Sequence, residues 1–201
     1  MHVTFWFDPS CPFCWMTSRW LVAVAPERDL DVDWQPISLL LKNETPADSP
    51  RFASASRGHA LLRVVQAVRA EGGQGRIGDL YTAFGRRFHN ERDRDFDVAA
   101  VLGELGLDPA LAAAVDDESF DDGICSAMAE GLELTGADVG TPLVAVGTGQ
   151  ARVGLFGPVI TRYPEPEAGL ELWDAFMTMA GTDGFCELKR ARTGRPDLPP
   201  V

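Results

Sequence analysis

Two cysteines held two residues apart, Cys11-Pro12-Phe13-Cys14, are the residues in this chain best suited to carry chemistry. At the start of a helix such a pair can close a small disulfide ring. The unpaired amides and the dipole of the first turn favour a thiolate on the leading sulfur. Cys11 is then the attacking nucleophile, and Cys14, one turn further in, resolves the mixed disulfide by attacking Cys11. Pro12 suits the first helical position, because its fixed φ is helical and its missing N–H would have no partner there. The Pro-Phe spacer brings no charge, so stabilisation of the thiolate falls mainly on the helix end. A zinc half-site uses the same spacing, but zinc takes four ligands. The sequence has no second close cysteine pair, and His2, His59 and His89 are scattered, so no metal is expected. Cys125, beside Ile124 in an amphipathic stretch, reads as a buried structural thiol. Neither it nor Cys186 is assigned a role.

Thr141-Pro142 precedes the apolar run Leu143 to Val146. A proline there is tolerated as a strand opener. Together with a Cys-x-x-Cys helix start, a cis peptide is the better expectation, with the Thr141 backbone turned toward the sulfurs to pair with a bound peptide or thiol. Asp8, three residues before Cys11, reads as a turn residue, with a proton relay as its secondary reading. Trp15 and Trp20 read as core or rim aromatics of the redox helix, Trp15 being placed to wall a flat substrate. His89, next to Phe88 on an amphipathic stretch, reads by itself as a structural histidine, and Asn43 as a turn or cap residue.

Short elements must position these groups. Val3 to Phe7 is a β-branched and aromatic run ended by Asp8-Pro9, which predicts a buried strand. A helix follows from Cys11-Pro12 to about Val24, before Pro26. From Leu30, Val32, Trp34 and Pro36 alternate with polar residues, which predicts a second strand. From about Ser49 to Thr135 the apolar spacing turns helical. Leu61, Val64, Val65 and Val68 form one stripe, Leu80, Phe84 and Phe88 a second, and Ile124, Met128, Gly131 and Leu132 a third. Gly72, Gly73, Gly75 and Asp108-Pro109 mark turns between these helices. Strand signals return at Leu143 to Val146 and Arg152 to Phe156, joined as a hairpin, and a last helix runs from about Glu167 to Ala180. The proline-rich tail from Thr193 to Val201 is expected to lie over the surface or fray. Without its helical block the order is that of thioredoxin. The predicted architecture is therefore α/β, with a thioredoxin-like domain at 1–48 and 136–201 and an inserted helical domain at 49–135.

Composition bounds the function. Among 201 residues, 45% are hydrophobic and 24% charged, the balance of a globular protein. The net charge of -12 repels phosphate backbones and anionic lipid, so nucleic acid and membranes are not expected partners. The N-terminal MHVTFWFDPS has no basic region followed by an apolar one, so a cytoplasmic location is expected.

The segments FWFDPSCPFCWMTSRW, LYTAFGRRFHN, GTP, LFGPV, LWDAF and FCELKRART, spread over nearly the whole chain, resemble the DsbA-like proteins of actinobacteria. Within that group the resemblance is to the mycothiol-dependent reductase, or mycothiol-dependent nitroreductase, type. It implies a thioredoxin fold with an inserted helical cap, a cis proline at Pro142, and no tightly bound cofactor. Mycothiol is implied as thiol co-substrate. Asn43 and His89 are implied to face the active-site cleft, joining Pro12, Phe13, Trp15, Thr141 and Pro142 as substrate-binding residues around the catalytic Cys11 and Cys14. Phe13 departs from the pattern, in which tryptophan holds that place.

The leading expectation is a thiol–disulfide oxidoreductase, monomeric or homodimeric, that takes electrons from a low-molecular-weight thiol and passes them to a disulfide or an electrophilic small molecule. Kappa-class glutathione transferases and 2-hydroxychromene-2-carboxylate isomerases share the helical insertion but carry serine where Cys11 stands. A non-catalytic peptide-binding module is the third alternative. The helical block is expected to act as a cap over the redox pair, which favours small substrates.

Overall fold

The computed structural model of the chain describes residues 1–192 and 194–198. In chain order the elements are strand β1 (His2–Phe7), helix α1 (Pro12–Val24), strand β2 (Asp31–Pro36), the short helix α2 (Leu39–Lys42), helices α3 (Phe52–Ala70), α4 (Ile77–Gly85), α5 (Val98–Glu104) and α6 (Asp121–Thr135), strands β3 (Leu143–Val146) and β4 (Val153–Phe156), and helix α7 (Pro166–Ala180). A π-helical turn, Arg86–Asn90, continues α4. Among the described residues no helix is long and apolar enough to cross a membrane.

One sheet forms, in the order β2-β1-β3-β4. β1 pairs antiparallel with β3, placing Val3 opposite Val146 and Trp6 opposite Leu143. β3 pairs antiparallel with β4 through a turn in which Gly147 and Gly149 take positive φ. Asp31 N–H donates to Met1 O (2.8 Å) and Ile37 N–H to Phe7 O (3.0 Å), an offset that advances in the same direction along both chains, so β2 runs parallel to β1. A parallel pair needs a crossover, and α1 supplies it. The two central strands are buried along almost their whole length, as their continuous apolar runs require.

The chain divides into two compact units. The first takes Met1–Trp6, Pro12–Gln35 and the described residues from Glu130 to Leu198, and so holds the sheet, α1 and α7. Its core is aromatic. Phe5 meets Trp34 edge-on at 5.2 Å, Trp20 lies 6.0 Å from Trp173, and Trp173 stacks 5.7 Å from Phe176. The Trp20 indole N–H donates to Gly169 O at 2.9 Å, satisfying a polar atom that burial would otherwise strand. Arg152 lies over the Trp6 ring at 5.1 Å while its guanidinium bonds Glu130 and, at 2.9 Å, Thr4 Oγ1.

The second unit takes Phe7–Cys11 and Pro36–Ala129. Leu61, Val64, Val65 and Val68 of α3 are buried, as the helical spacing predicts. Phe7 stacks on Tyr81 of α4 at 4.0 Å, and Phe84 lies 5.6 Å from Phe96. Asp97 and Asp108 cap the elements that follow them, each through its side-chain oxygen.

One sequence expectation changes. Cys125 is exposed; Ile124 takes the buried position on α6, and the next residue, about 100° round the helix, faces outward. The tail, expected to lie over the surface or fray, takes the first course at Asp197, whose N–H donates to Thr161 O (2.8 Å) and which bridges Arg162. Thr193 and Pro199 to Val201, also part of that expected tail, lie outside the described residues.

Gly131 on α6 is buried, and a Cβ there would stand 2.9–3.0 Å from three atoms of the Trp6 indole. Gly103 on α5 has only Pro109 at 3.8 Å. Alanine gains roughly 0.5–1 kcal/mol over glycine inside a helix, whereas overpacking against a rigid buried ring costs about 1–3 kcal/mol. Gly131→Ala should therefore lower the urea unfolding midpoint and Gly103→Ala should leave it unchanged or raise it.

Candidate active site

The redox motif begins at a turn built by one carboxylate. Asp8 is wholly buried, and its Oδ1 accepts both Ser10 N–H (2.7 Å) and Ser10 Oγ–H (2.6 Å) while Oδ2 accepts Leu39 N–H (2.6 Å). Its backbone carbonyl accepts Cys11 N–H at 3.0 Å. Asp at the first and Pro at the second position of a four-residue turn is the pairing such a turn prefers. Asp8-Pro9-Ser10-Cys11 thus folds locally and sets Cys11 immediately before Pro12, the first residue of α1. Burial pushes the Asp8 carboxyl up from its ordinary range, and the three donors together with the charge of His59 act against that push.

Gly58 of α3 closes on this turn. A Cβ there would lie 2.7 Å from Asp8 Oδ1 and 2.9 Å from Ser10 Cβ, so only glycine permits the approach. The next residue, His59, is 4% exposed and joins Ser38 Oγ through Nδ1 (3.1 Å) and Asp121 Oδ1 through Nε2 (3.1 Å). Arg63 holds Asp121 with two bonds of 2.7 and 2.8 Å. Ser38 in turn caps α2, accepting Leu41 N–H at 3.3 Å.

His89 reaches the same turn from the π-helical segment. Its Nε2 donates to Pro9 O at 2.9 Å, and the ring is 9% exposed. Burial first, and the Arg94 charge after it, lower its pKa to about 4 against the pull of the Pro9 bond, so the ring is neutral at ordinary pH. π-turns inside helices recur at functional sites because they re-aim a side chain.

Of the two cysteines of the motif, Cys11 retains 5% exposure and Cys14 none. Phe13 is half-buried, and the Arg192 guanidinium from the C-terminal segment lies 4.8 Å from its ring centre. This cation beside the spacer is one that local reading of the motif missed.

The other expected site residues are distributed as follows. The Thr141–Pro142 peptide is cis, both residues are buried, and Pro142 O accepts Gly157 N–H at 2.9 Å. A second cis peptide precedes Pro158, whose carbonyl accepts Thr17 Oγ1–H from α1 at 2.7 Å. Pro12 is half-buried at the helix start. Trp15 is wholly buried with the Arg19 guanidinium 4.3 Å over its ring, so it serves the core and presents no wall to a substrate. Asn43 is exposed and ends α2, its N–H turned to Leu39 O and Leu41 O. Cys125 lies apart on α6, where partial burial and then Asp121 and Asp122 push its thiol up, and Cys186 is exposed.

The His89 environment fixes a pH effect. Between its ordinary value of 6.5 and about 4, the unfolded chain binds a proton at His89 that the folded chain does not. Stability is therefore fully present above the unfolded value and falls as pH drops toward the folded one, by up to about 3 kcal/mol. Asp8, with its raised carboxyl, contributes in the opposite sense, so the comparison must be made against a variant. His89→Gln should lose less stability than the unmutated protein when urea unfolding is compared at about pH 7 and about pH 5. Equal losses would show that His89 does not carry this term.

With this geometry in place, comparison with known proteins is informative. A relative, the uncharacterized protein Rv2286c of Mycobacterium tuberculosis, is 30% identical over 196 residues, covering 95% of this chain and 82% of its own. Among solved structures, the cytosolic disulfide reductase DsbM from Pseudomonas aeruginosa superposes with a TM-score of 0.61 at 16% identity, over 90% of this chain and 100% of that one. The oxidoreductase DsbA from Xylella fastidiosa gives 0.52 at 17% identity, over 88% and 84%. At those identities the likeness shows the fold, a DsbA-type thioredoxin fold. The family model described as Rv2466c-like, mycothiol-dependent nitroreductase Rv2466c, matches residues 10–190, which include both cysteines of the motif, the Thr141-Pro142 peptide and the helices between. The chain therefore belongs to the Rv2466c-like family of mycothiol-dependent nitroreductases, and it is an oxidoreductase.

Proposed function

We propose that the chain is a cytoplasmic thiol–disulfide reductase that uses Cys11 and Cys14 as its redox pair, is reduced by mycothiol, and passes two electrons to a disulfide or an electrophilic small molecule. The observation that carries this reading is the position of Cys11. It stands at the end of a turn fixed by Asp8 and at the start of α1, with Cys14 wholly buried one turn later.

In the reductive direction the Cys11 thiolate attacks one sulfur of the acceptor disulfide. A Cys11–acceptor disulfide forms, and the other acceptor sulfur leaves as a thiolate that takes a proton from water. Cys14 gives up its proton and attacks Cys11, forming the Cys11–Cys14 disulfide and releasing the second acceptor thiol. Two molecules of mycothiol restore the dithiol: the first forms a mixed disulfide with the pair, and the second releases mycothiol disulfide. Each cycle moves two electrons and two protons. The helix end contributes roughly 0.3–1 kcal/mol, and up to about 2 kcal/mol where partly buried, toward the Cys11 thiolate. His89, neutral and bonded to Pro9 O two residues before Cys11, offers a group that orients the incoming thiol or disulfide. The family match supports mycothiol as donor. Glutathione transferase or isomerase chemistry is disfavoured by the intact pair, since those enzymes need no thiol at Cys14.

The test is a comparison of two variants. Cys11→Ser should lose turnover with every acceptor, while Cys14→Ser should accumulate a mixed disulfide on Cys11 that mass spectrometry detects. In the unmutated protein, mycothiol should reduce the oxidised pair at least tenfold faster than glutathione or thioredoxin, a difference of about 1.4 kcal/mol in barrier. An adduct on Cys11→Ser and none on Cys14→Ser would reverse the roles, and equal rates for all three donors would remove the mycothiol assignment.

A further inference from the structure

The chain carries 30 carboxylate side chains against 18 lysines and arginines, so a surface cation has no shortage of anionic partners. Arg28 holds Asp174, Arg63 holds Asp121, Arg87 holds Glu91 and Arg152 holds Glu130. The segment after α7 departs from this pattern. Between Glu187 and Asp197 stand Lys189, Arg190, Arg192 and Arg195, with no carboxylate among them. All four are exposed, and none of their side chains makes an ion pair or hydrogen bond to another described residue. The segment is nonetheless tied to the redox helix, because the Arg192 guanidinium lies 4.8 Å from the centre of the Phe13 ring, inside the same compact unit. We infer that Arg192, assisted by Lys189 and Arg190, selects acceptors that carry an anionic group, so that the preferred substrate is a small disulfide or electrophile bearing a carboxylate or a group of like charge.

Phe13 follows Cys11 by two residues, which bounds the separation of their Cα atoms at about 7 Å. A cation on the Phe13 ring is therefore held at the spacer of the motif. Contact with a ring engages the charge of a guanidinium and uses none of its N–H donors. The planar fork stays available to a carboxylate, which it can take through two parallel hydrogen bonds. With a net charge of -12 the molecule as a whole repels an anion, so an anionic acceptor reaches the motif readily only where the local potential is reversed. Arg192 at the spacer, with Lys189 and Arg190 within three residues of it, supplies that reversal over the Debye length of about 10 Å that holds at moderate salt. A role confined to clasping the C-terminal segment would account for the ring contact and leave the unpaired Lys189 and Arg190 without a purpose in an acidic protein. Arg192 makes and breaks no bond at sulfur. It holds the charged end of the acceptor while Cys11 attacks.

This inference rests on the reading of Cys11 as the attacking thiol, and it deepens that reading by naming the substrate class. Second-order rate constants for oxidation of the reduced pair are measured with dithiodipropionate, a dianion, and with cystamine, a dication of similar length. The proteins compared are the unmutated chain, Arg192→Gln, Arg192→Glu, the Lys189→Gln/Arg190→Gln double variant and Arg28→Gln. The last removes the same unit of charge beyond the far end of α1, roughly 20 Å along the helix. Arg192→Gln should slow dithiodipropionate and speed cystamine, lowering the ratio of the two by roughly two- to fivefold, the effect of one exposed ion pair. Arg192→Glu should lower it further, the double variant should lower it in the same sense, and Arg28→Gln should leave it unchanged. An unchanged ratio in both Arg192 variants, or an equal fall in Arg28→Gln, would overturn the inference. Alkylation of Cys11 by iodoacetate and by iodoacetamide, which differ by one negative charge, is followed in the same proteins by peptide mass spectrometry and reports the charge preference without a redox step. An iodoacetate preference that falls in the Arg192 variants, while neither disulfide oxidises the pair in the unmutated protein, would overturn the redox reading alone.

Discussion

The structure depends on a carboxylate buried at the end of its first strand. Taking an unpaired ionised carboxylate out of water costs several kcal/mol even after relaxation, while each hydrogen bond to a charged group returns about 1.5–3 kcal/mol. Asp8 accepts from Ser10 N–H, Ser10 Oγ–H and Leu39 N–H, so its burial is tolerated only if the turn and the start of α2 are both in place. The carboxylate thereby converts a flexible strand-to-helix junction into a fixed one. Everything proposed for Cys11 follows from that junction, because a thiol is activated by a helix end only when it is held at the end.

A second constraint comes from the same place. The turn is approached by a glycine with no room for a side chain, by a neutral histidine that donates to the Pro9 carbonyl, and by a histidine bonded to Ser38, the neighbour of the Leu39 N–H that Asp8 accepts. These three residues come from α3 and the π-turn after α4, elements of the helical block. The second unit therefore does more than add bulk, since it supplies the polar partners of the segment that carries Cys11. Such a site is expensive to assemble and specific once assembled, because every buried polar atom in it has a named partner or loses stability.

Much of the fold was legible in the sequence. The run Val3 to Phe7, the helix opening at Pro12 and closing by Val24, the hairpin at Leu143 to Phe156 and the last helix are each set by local periodicity and by Pro, Gly and Asp at their ends. The place of the Cys11-Pro12-Phe13-Cys14 motif at a helix start was legible for the same reason: spacing and helix position are local properties. The partners of Asp8 were not, since Leu39 and Gly58 are remote in sequence and nothing in an apolar stripe says which glycine touches which carboxylate. His59 could have been noticed as a polar residue inside the buried stripe of α3, the one signal that marks a satisfied core histidine with a purpose. The resemblance brought His89 to attention but not its partner, because a π-turn shifts side-chain direction in a way that a 3.6-residue period does not encode. Trp15 read as a site aromatic by proximity to Cys14, but the first turn of α1 points it inward.

The central claim is that Cys11 and Cys14, and no other thiols, interconvert as one two-electron pair. Equilibrating the protein across a graded dithiol–disulfide buffer, trapping free thiols by alkylation and mapping them by mass spectrometry measures this directly. The account predicts that Cys11 and Cys14 lose and regain alkylation together at one midpoint, joined in a single peptide lighter by two hydrogens, while Cys125 and Cys186 label throughout. Independent labelling of Cys11 and Cys14 at every buffer ratio, or an oxidised protein whose disulfide joins Cys125 or Cys186, would contradict it.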